Sequence, residues 1–140
     1  VVLDANVFVS AILSPKGPTG TVLRAWRDGR FLLVISPAIL NEIGRVLMYP
    51  KIKKRHGWNP SIVQHFLDHV SAVGILTFPD VTLTVIQQDL SDNRYLECAV
   101  EGEANVIVSG DHHLLDLVTY QGIPMMTVNK FVELISKKAS

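Results

Sequence analysis

Apolar residues along this chain fall into two kinds of segment. Short uninterrupted runs occur at Val1–Leu3, Phe31–Ile35, Gly74–Phe78, Val106–Ser109 and Met125–Val128. Runs of this length, bounded by turn-forming residues, predict strands buried on both faces, as in a parallel sheet. Between them lie longer segments with apolar residues at helical spacing. Pro18–Asp28 carries Val22, Leu23 and Trp26 and stops at Gly29. Ser36 predicts an N-cap, with Pro37 at the first helical position and Ile39, Leu40, Ile43, Val46 and Leu47 along one side. Asn59-Pro60 opens a third helix striped by Ile62, Val63, Phe66, Leu67 and Val70; Asn93–Gly102 and Asn129–Lys138 are two more. Asp80–Ser91 reads as loop, with a Gly-Ile-Pro turn expected near residue 123. Strands alternating with helices predict an α/β fold: a three-layer α/β/α domain over residues 1–140, with a central, mostly parallel sheet of about five strands.

In an open α/β sheet, sites form outside the carboxyl ends of the strands. Asp4 follows the first strand and opens a helix. Asp111 follows Val106–Ser109 through one glycine, and Asp92 stands at the start of the Asn93 helix. A fourth acid, Glu42, is the only carboxylate between Asp28 and Asp68. Any one of these aspartates alone is more often a helix cap, contributing roughly 0.5–2 kcal/mol, than a ligand. Glu42 alone is more often a solvated helix residue. As a set they carry another implication. Two carboxylates about 5 Å apart repel by roughly 3 kcal/mol at an effective dielectric near 20, so a cluster needs a proton or a cation. Oxygen ligands at a partly open site suit Mg2+ or Mn2+, which bind through a few carboxylates plus substrate phosphate.

Charge changes the picture further. The 13 basic and 13 acidic residues cancel, but residues 1–58 carry a local charge of +6 and residues 59–140 a local charge of −6. Lys51, Lys53, Lys54 and Arg55 lie together without an acid. Such a run is either a solvated helix end or a patch that tracks nucleic-acid phosphates. A divalent ion bridging the acidic part to phosphate, with the basic part holding the rest of a polyanion, accounts for the asymmetry. At 48% hydrophobic residues the chain can bury a core. Its longest stretch without Asp, Glu, Lys or Arg, Leu117 to Asn129, is too short to span a membrane. The single cysteine, Cys98, excludes an internal disulfide and fits a reducing, cytoplasmic setting. Cys98 and Trp26 read as core. His65 and His69, at i and i+4, lack a third ligand nearby. Asp89 reads as a loop residue, and Trp58 and Tyr49 could stack bases.

Taken together, Val1-Val2-Leu3-Asp4-Ala5-Asn6-Val7-Phe8-Val9-Ser10, the I-L-N-E-I around Glu42, Asp92-Asn93-Arg94-Tyr95-Leu96-Glu97-Cys98-Ala99 and Ser109-Gly110-Asp111-His112-His113-Leu114-Leu115 resemble the four acidic motifs of the PIN-domain family, in order, from Val1 to about Leu134. The chain is most similar to the branch of VapC-like toxin components of toxin–antitoxin systems. The resemblance implies a metal-dependent ribonuclease using Mg2+ or Mn2+. It assigns Asp4, Glu42, Asp92 and Asp111 as metal-binding and catalytic acids, with Asn6 and Ser109 orienting them or the water. It also implies an RNA substrate, a small antitoxin partner, a homodimer and no membrane partner. Related sequences often place an aspartate where this chain has His113, which is a ligand of a second metal, a substrate-phosphate contact like the lysines and Arg55, or an exposed helix residue. Alternatives are a PIN-like scaffold that binds RNA or protein without cutting, a receiver-type phospho-acceptor domain, and a D-x-D phosphatase. The last lacks its second aspartate, because Asn6 stands there.

Overall fold

The computed structural model describes residues 1–139, with side chains described through residue 137. Among them the chain runs β1 (Val2–Leu3), α1 (Ala5–Leu13), α2 (Pro18–Arg27), β2 (Val34–Ile35), α3 (Pro37–Leu47), α4 (Pro50–His56), α5 (Pro60–Val73) and β3 (Ile75–Leu76). A single 3-10 turn, Leu90–Asp92, leads into α6 (Asn93–Glu101). β4 (Ile107–Val108), α7 (His112–Leu115), β5 (Thr119–Tyr120), β6 (Ile123–Met126) and α8 (Val128–Ala139) follow. β1 pairs with β4, β4 with β6, and β2 with β3, all parallel; β5 joins β6 antiparallel. Val34 N–H donates to Val1 O at 2.8 Å, and the Val1 ammonium to Leu32 O at 2.9 Å. That alternation is the hydrogen-bond pattern of a parallel ladder, and it lays β2 beside β1. The result is a three-layer α/β/α arrangement around a mostly parallel sheet. α1 packs on α2 and α3, α2 on α8, and α6 on β1 and β2.

The core forms where the apolar runs met helical stripes: Val2, Leu3, Phe8, Ile35, Leu96 and Ile107 are fully buried. Trp26 and Cys98 are buried as expected, and burial pushes the Cys98 thiol up from its ordinary pKa. No helix among the described residues is long and apolar enough to cross a membrane.

Three local readings needed correction. Gly74–Phe78 was expected to be buried on both faces, but β3 is the sheet's outer strand, with Ile75 45% and Phe78 66% exposed. An apolar run records strand propensity; burial depends on a further neighbour, which β3 lacks. The turn before β6 lies at Gln121-Gly122 rather than at Gly-Ile-Pro. Both residues have positive φ, +49° and +79°, the backbone a tight two-residue hairpin demands. Pro124 is tolerated inside β6 because pairing with β4 begins only at Met125. Finally, the basic run forms its own helix, α4, closed by Gly57 at φ +68°.

Candidate active site

Parallel pairing brings the site's first two strands to a common end. Asp4 N–H donates to Val108 O at 2.9 Å, so the end of β1 is locked to the end of β4. Asp4 is 3% exposed. Its Oδ1 accepts the Asn6 N–H at 3.1 Å, capping α1, while its Oδ2 accepts the Ser109 hydroxyl at 2.6 Å. That short charge-assisted bond is the strong kind. The same Ser109 oxygen accepts the Asp111 N–H at 2.9 Å. Ser109 thus ties the backbone of one acid to the carboxylate of another. Tyr95, one turn beyond Asp92 on α6, sets its hydroxyl under the Ala5 N–H at 3.2 Å. Burial first and the Asp4 charge second raise its pKa, which keeps the phenol protonated beside that carboxylate.

Asp111 caps α7, its Oδ1 accepting the His113 N–H at 2.9 Å. Asp92 differs. It stands at the N-cap of α6, yet its side chain caps nothing, and it is 6% exposed. Burial first, then the neighbouring Asp111 charge, push its pKa from 3.8 up to about 6, against the opposing pull of His113. The His113 Nδ1 lies 3.2 Å from Asp92 Oδ2 and 3.5 Å from Asp111 Oδ1. Asp89 joins Asp92 and His113 in a group whose ligand atoms lie within 4.8 Å of one another. Asp89 accepts both the N–H and the hydroxyl of Ser91, which lower its pKa. Asn93, fully buried, steadies this segment by bonding both backbone groups of Ile86 at 2.9 Å and the Leu90 carbonyl at 3.0 Å.

Asp4, Glu42, Asp92 and Asp111 line a single cleft of about 130 Å³, with Asn6 at its wall. Glu42 arrives from the second turn of α3 and pairs with Arg45, which in turn sits 6.0 Å over the Tyr49 ring. Ser109 lies just beneath, bonded to Asp4. Lys51, Lys53 and Lys54 line a separate, larger cavity between α4 and α5, and Arg55 lies on the same helix without lining it. His113, grouped with those cations from sequence, instead sits against Asp92 and Asp111 of the acidic cleft and is only a quarter exposed, not a free helix residue. Asp89, expected to be a plain loop residue, lines the cleft, and so do Arg94 and Tyr95, for which the sequence suggested no role. The i, i+3 step from Asp92 to Tyr95 on α6 was the available signal for the last. Arg94 donates to Glu97 at 2.8 Å, and its Nε has no hydrogen-bond partner among the described residues.

The donor set fits a hard divalent cation. Two sets of side chains lie close enough to share an ion, Asp89 with Asp92 and His113, and Asp111 with His112 and His113; Asp4 and Glu42 line the same cleft but belong to neither set. Burial and the Asp111 charge drive the Asp92 carboxyl toward its neutral form, a repulsion that a cation would relieve.

An acid-walled cleft at the carboxyl ends of parallel strands, in a three-layer α/β/α fold, lies where such sheets place their functional sites. A family model described as the PIN domain matches residues 1–113, and the chain belongs to that family. The match takes in every residue of the cleft. The family is one of nucleases, which typically use divalent metals on nucleic acid, so the receiver and phosphatase alternatives fall away. The chain is also similar to a protein of Methanocaldococcus jannaschii, named only as uncharacterized protein MJ1680. The two are 34% identical over 117 residues, covering 84% of this chain and 74% of that one. No solved structure gives a significant match.

Proposed function

We propose that the protein is a metal-dependent endoribonuclease, with residues 1–140 forming one nuclease domain. The observation that carries the reading is the convergence of Asp4, Glu42, Asp92 and Asp111 on one cleft. These four would hold Mg2+ or Mn2+. When bound, such an ion polarises a phosphoryl oxygen and lowers the pKa of a coordinated water. The protein's own part is orientation. Ser109 holds the Asp4 carboxylate in place, and Tyr95 excludes water behind it. His113 Nδ1, 3.2 Å from Asp92 Oδ2, orients that carboxylate toward the ion. Asn6 and Arg94 stand where they can hydrogen-bond the substrate's phosphate oxygens, and Lys51, Lys53, Lys54 and Arg55 hold flanking phosphates. The likeness of the acidic motifs to VapC-like toxins supports a cytoplasmic toxin paired with a small antitoxin. The exposed apolar side chains of Val73, Ile75 and Phe78 at the β3 edge support a homodimer.

The test is cleavage of a labelled single-stranded RNA with Mg2+ or Mn2+, with chelator, and by Asp4→Asn and Asp92→Asn. Activity should require the ion and fall by about 10²-fold or more in each variant, as expected for loss of several kcal/mol of charge stabilisation. Cleavage that persists in chelator would refute the metal-dependent reading.

A further inference from the structure

The open cavity beside α4 and the start of α5 has a volume of about 800 Å³. That lies within the range of ligand-sized clefts, roughly 300–1,000 Å³. Its surface is mostly apolar, built from Met48, Trp58 and Pro60, while Lys51, Lys53 and Lys54 supply its charge. Between Glu42 and Asp68 the sequence has no carboxylate, and no salt bridge to these lysines is found among the described residues.

The backbone at Trp58 is pinned. Its main-chain N–H donates to His56 Nδ1 at 2.8 Å, and the other ring nitrogen of His56 meets Leu47 O at 2.7 Å. The neutral imidazole that donates from Nε2 satisfies both bonds. The indole ring also packs at 5.8 Å from Phe66 and 5.5 Å from the His56 ring. Gly57, in the left-handed region, turns the chain so that Trp58 can follow α4 directly. An aromatic ring fixed in an apolar hollow, with cations along one wall, matches a ligand that presents flat apolar faces joined by negative charges.

The cavity also has a defined place relative to the acidic cleft. Glu42 lines the cleft and Met48 lines the cavity. They stand six residues apart on and just beyond α3, on the order of 9 Å along a helix axis. That separation is a few stacked nucleotides, at about 3.4 Å each along one strand.

We propose that this cavity is a single-strand subsite: Trp58 stacks an unpaired base while Lys51, Lys53 and Lys54 hold the phosphates beside it. This deepens the ribonuclease reading and rests on it, placing the flanking strand of the substrate along α3. A duplex would satisfy the lysines but offers no free base face to the indole. An acidic peptide would satisfy the charge but not the flat apolar hollow.

The test separates binding from cleavage. Fluorescein-labelled single-stranded RNA of ten nucleotides and the matching duplex are titrated in chelator by fluorescence anisotropy, against the full chain and its variants. Single strand should bind more tightly than duplex. Trp58→Ala should weaken single-strand binding about 5- to 150-fold, while Trp58→Phe, which keeps a stacking ring, should retain most of it. Lys53→Ala with Lys54→Ala should flatten the slope of log K against log salt by about 1.4, at roughly 0.7 per phosphate contact on a single strand. Circular dichroism checks that Trp58→Ala is folded; if it is not, the Trp58→Phe and lysine variants decide. Equal binding of single strand and duplex, or an unchanged salt slope in the lysine variant, would overturn the subsite. So would displacement of the RNA by poly-glutamate as effectively as by unlabelled RNA. Wild type that binds single strand in this way but never cuts it with Mg2+ or Mn2+ would instead sink the nuclease reading and leave the subsite standing.

Discussion

Replacing Asp92 by Asn should stabilise the metal-free protein. The carboxyl is buried beside Asp111 and caps no helix, so its charge is a burden on the fold that no hydrogen bond of its own helix offsets. Its pKa rises from 3.8 to about 6, which at 1.36 kcal/mol per pKa unit is about 3 kcal/mol. The carboxylate borders a solvent-filled cleft, so roughly half of that, about 1.5 kcal/mol, is the expected gain. The sign follows from proton binding. The folded state holds this proton more tightly than the unfolded state, so the contribution to stability is complete below about pH 4. It drains away as pH rises toward 6 and stays lost above. At pH 7.5 in chelator, Asp92→Asn should melt about 3–6 °C higher than wild type, and at pH 4 the difference should vanish. Added Mg2+ should reverse the order. An ion at 100 times its Kd stabilises wild type by about 2.7 kcal/mol, and the variant, short of a ligand, gains less. Differential scanning calorimetry reads all three conditions. A variant that melts at or below wild type at pH 7.5 in chelator would refute the claim that Asp92 is held against its electrostatic preference.

Ser109→Ala removes the 2.6 Å bond to Asp4 and the acceptor for Asp111 N–H, leaving a buried carboxylate short of a donor. It should cost about 1.5–3 kcal/mol in urea unfolding; a loss under 0.5 kcal/mol would mean the serine is not needed there. Asn93→Ala strands both backbone groups of Ile86, and its melting temperature should fall with a loss of roughly 2–4 kcal/mol. Amide exchange at Ile86 should speed up in the same variant. Gly102→Ala would place a Cβ 2.2 Å from a Val34 methyl carbon. Overpacking where α6 meets β2 should cost about 1–3 kcal/mol, and an unchanged unfolding midpoint would show that the interface gives way freely.

The strand-end acids were legible because a parallel sheet dictates where strands stop, and a carboxylate at such a stop has few roles. Their dual nature was not. Asp4 and Asp111 each accept a helix N–H while lining the cleft. Asp92 caps nothing, which only coordinates reveal. The contact between His113 and Asp92 joins residues 21 apart in sequence, so no local spacing announces it. Likewise the lysines and His113 read as one basic set, whereas α4 carries the former to a different cavity. The β5–β6 hairpin has a weak local signature: Thr119–Tyr120 is too short to show a strand period, and only the positive φ of Gln121 and Gly122 marks its turn.

The segment between β3 and the 3-10 turn has no regular secondary structure, yet side chains of α6 grip its backbone: Glu97 takes the Leu83 N–H at 2.7 Å and Asn93 clasps Ile86. A strap anchored through its main chain places little demand on which side chains it carries outward. Val81 and Val85 point outward, so substitutions there leave the main-chain anchors and the acid-lined cleft intact.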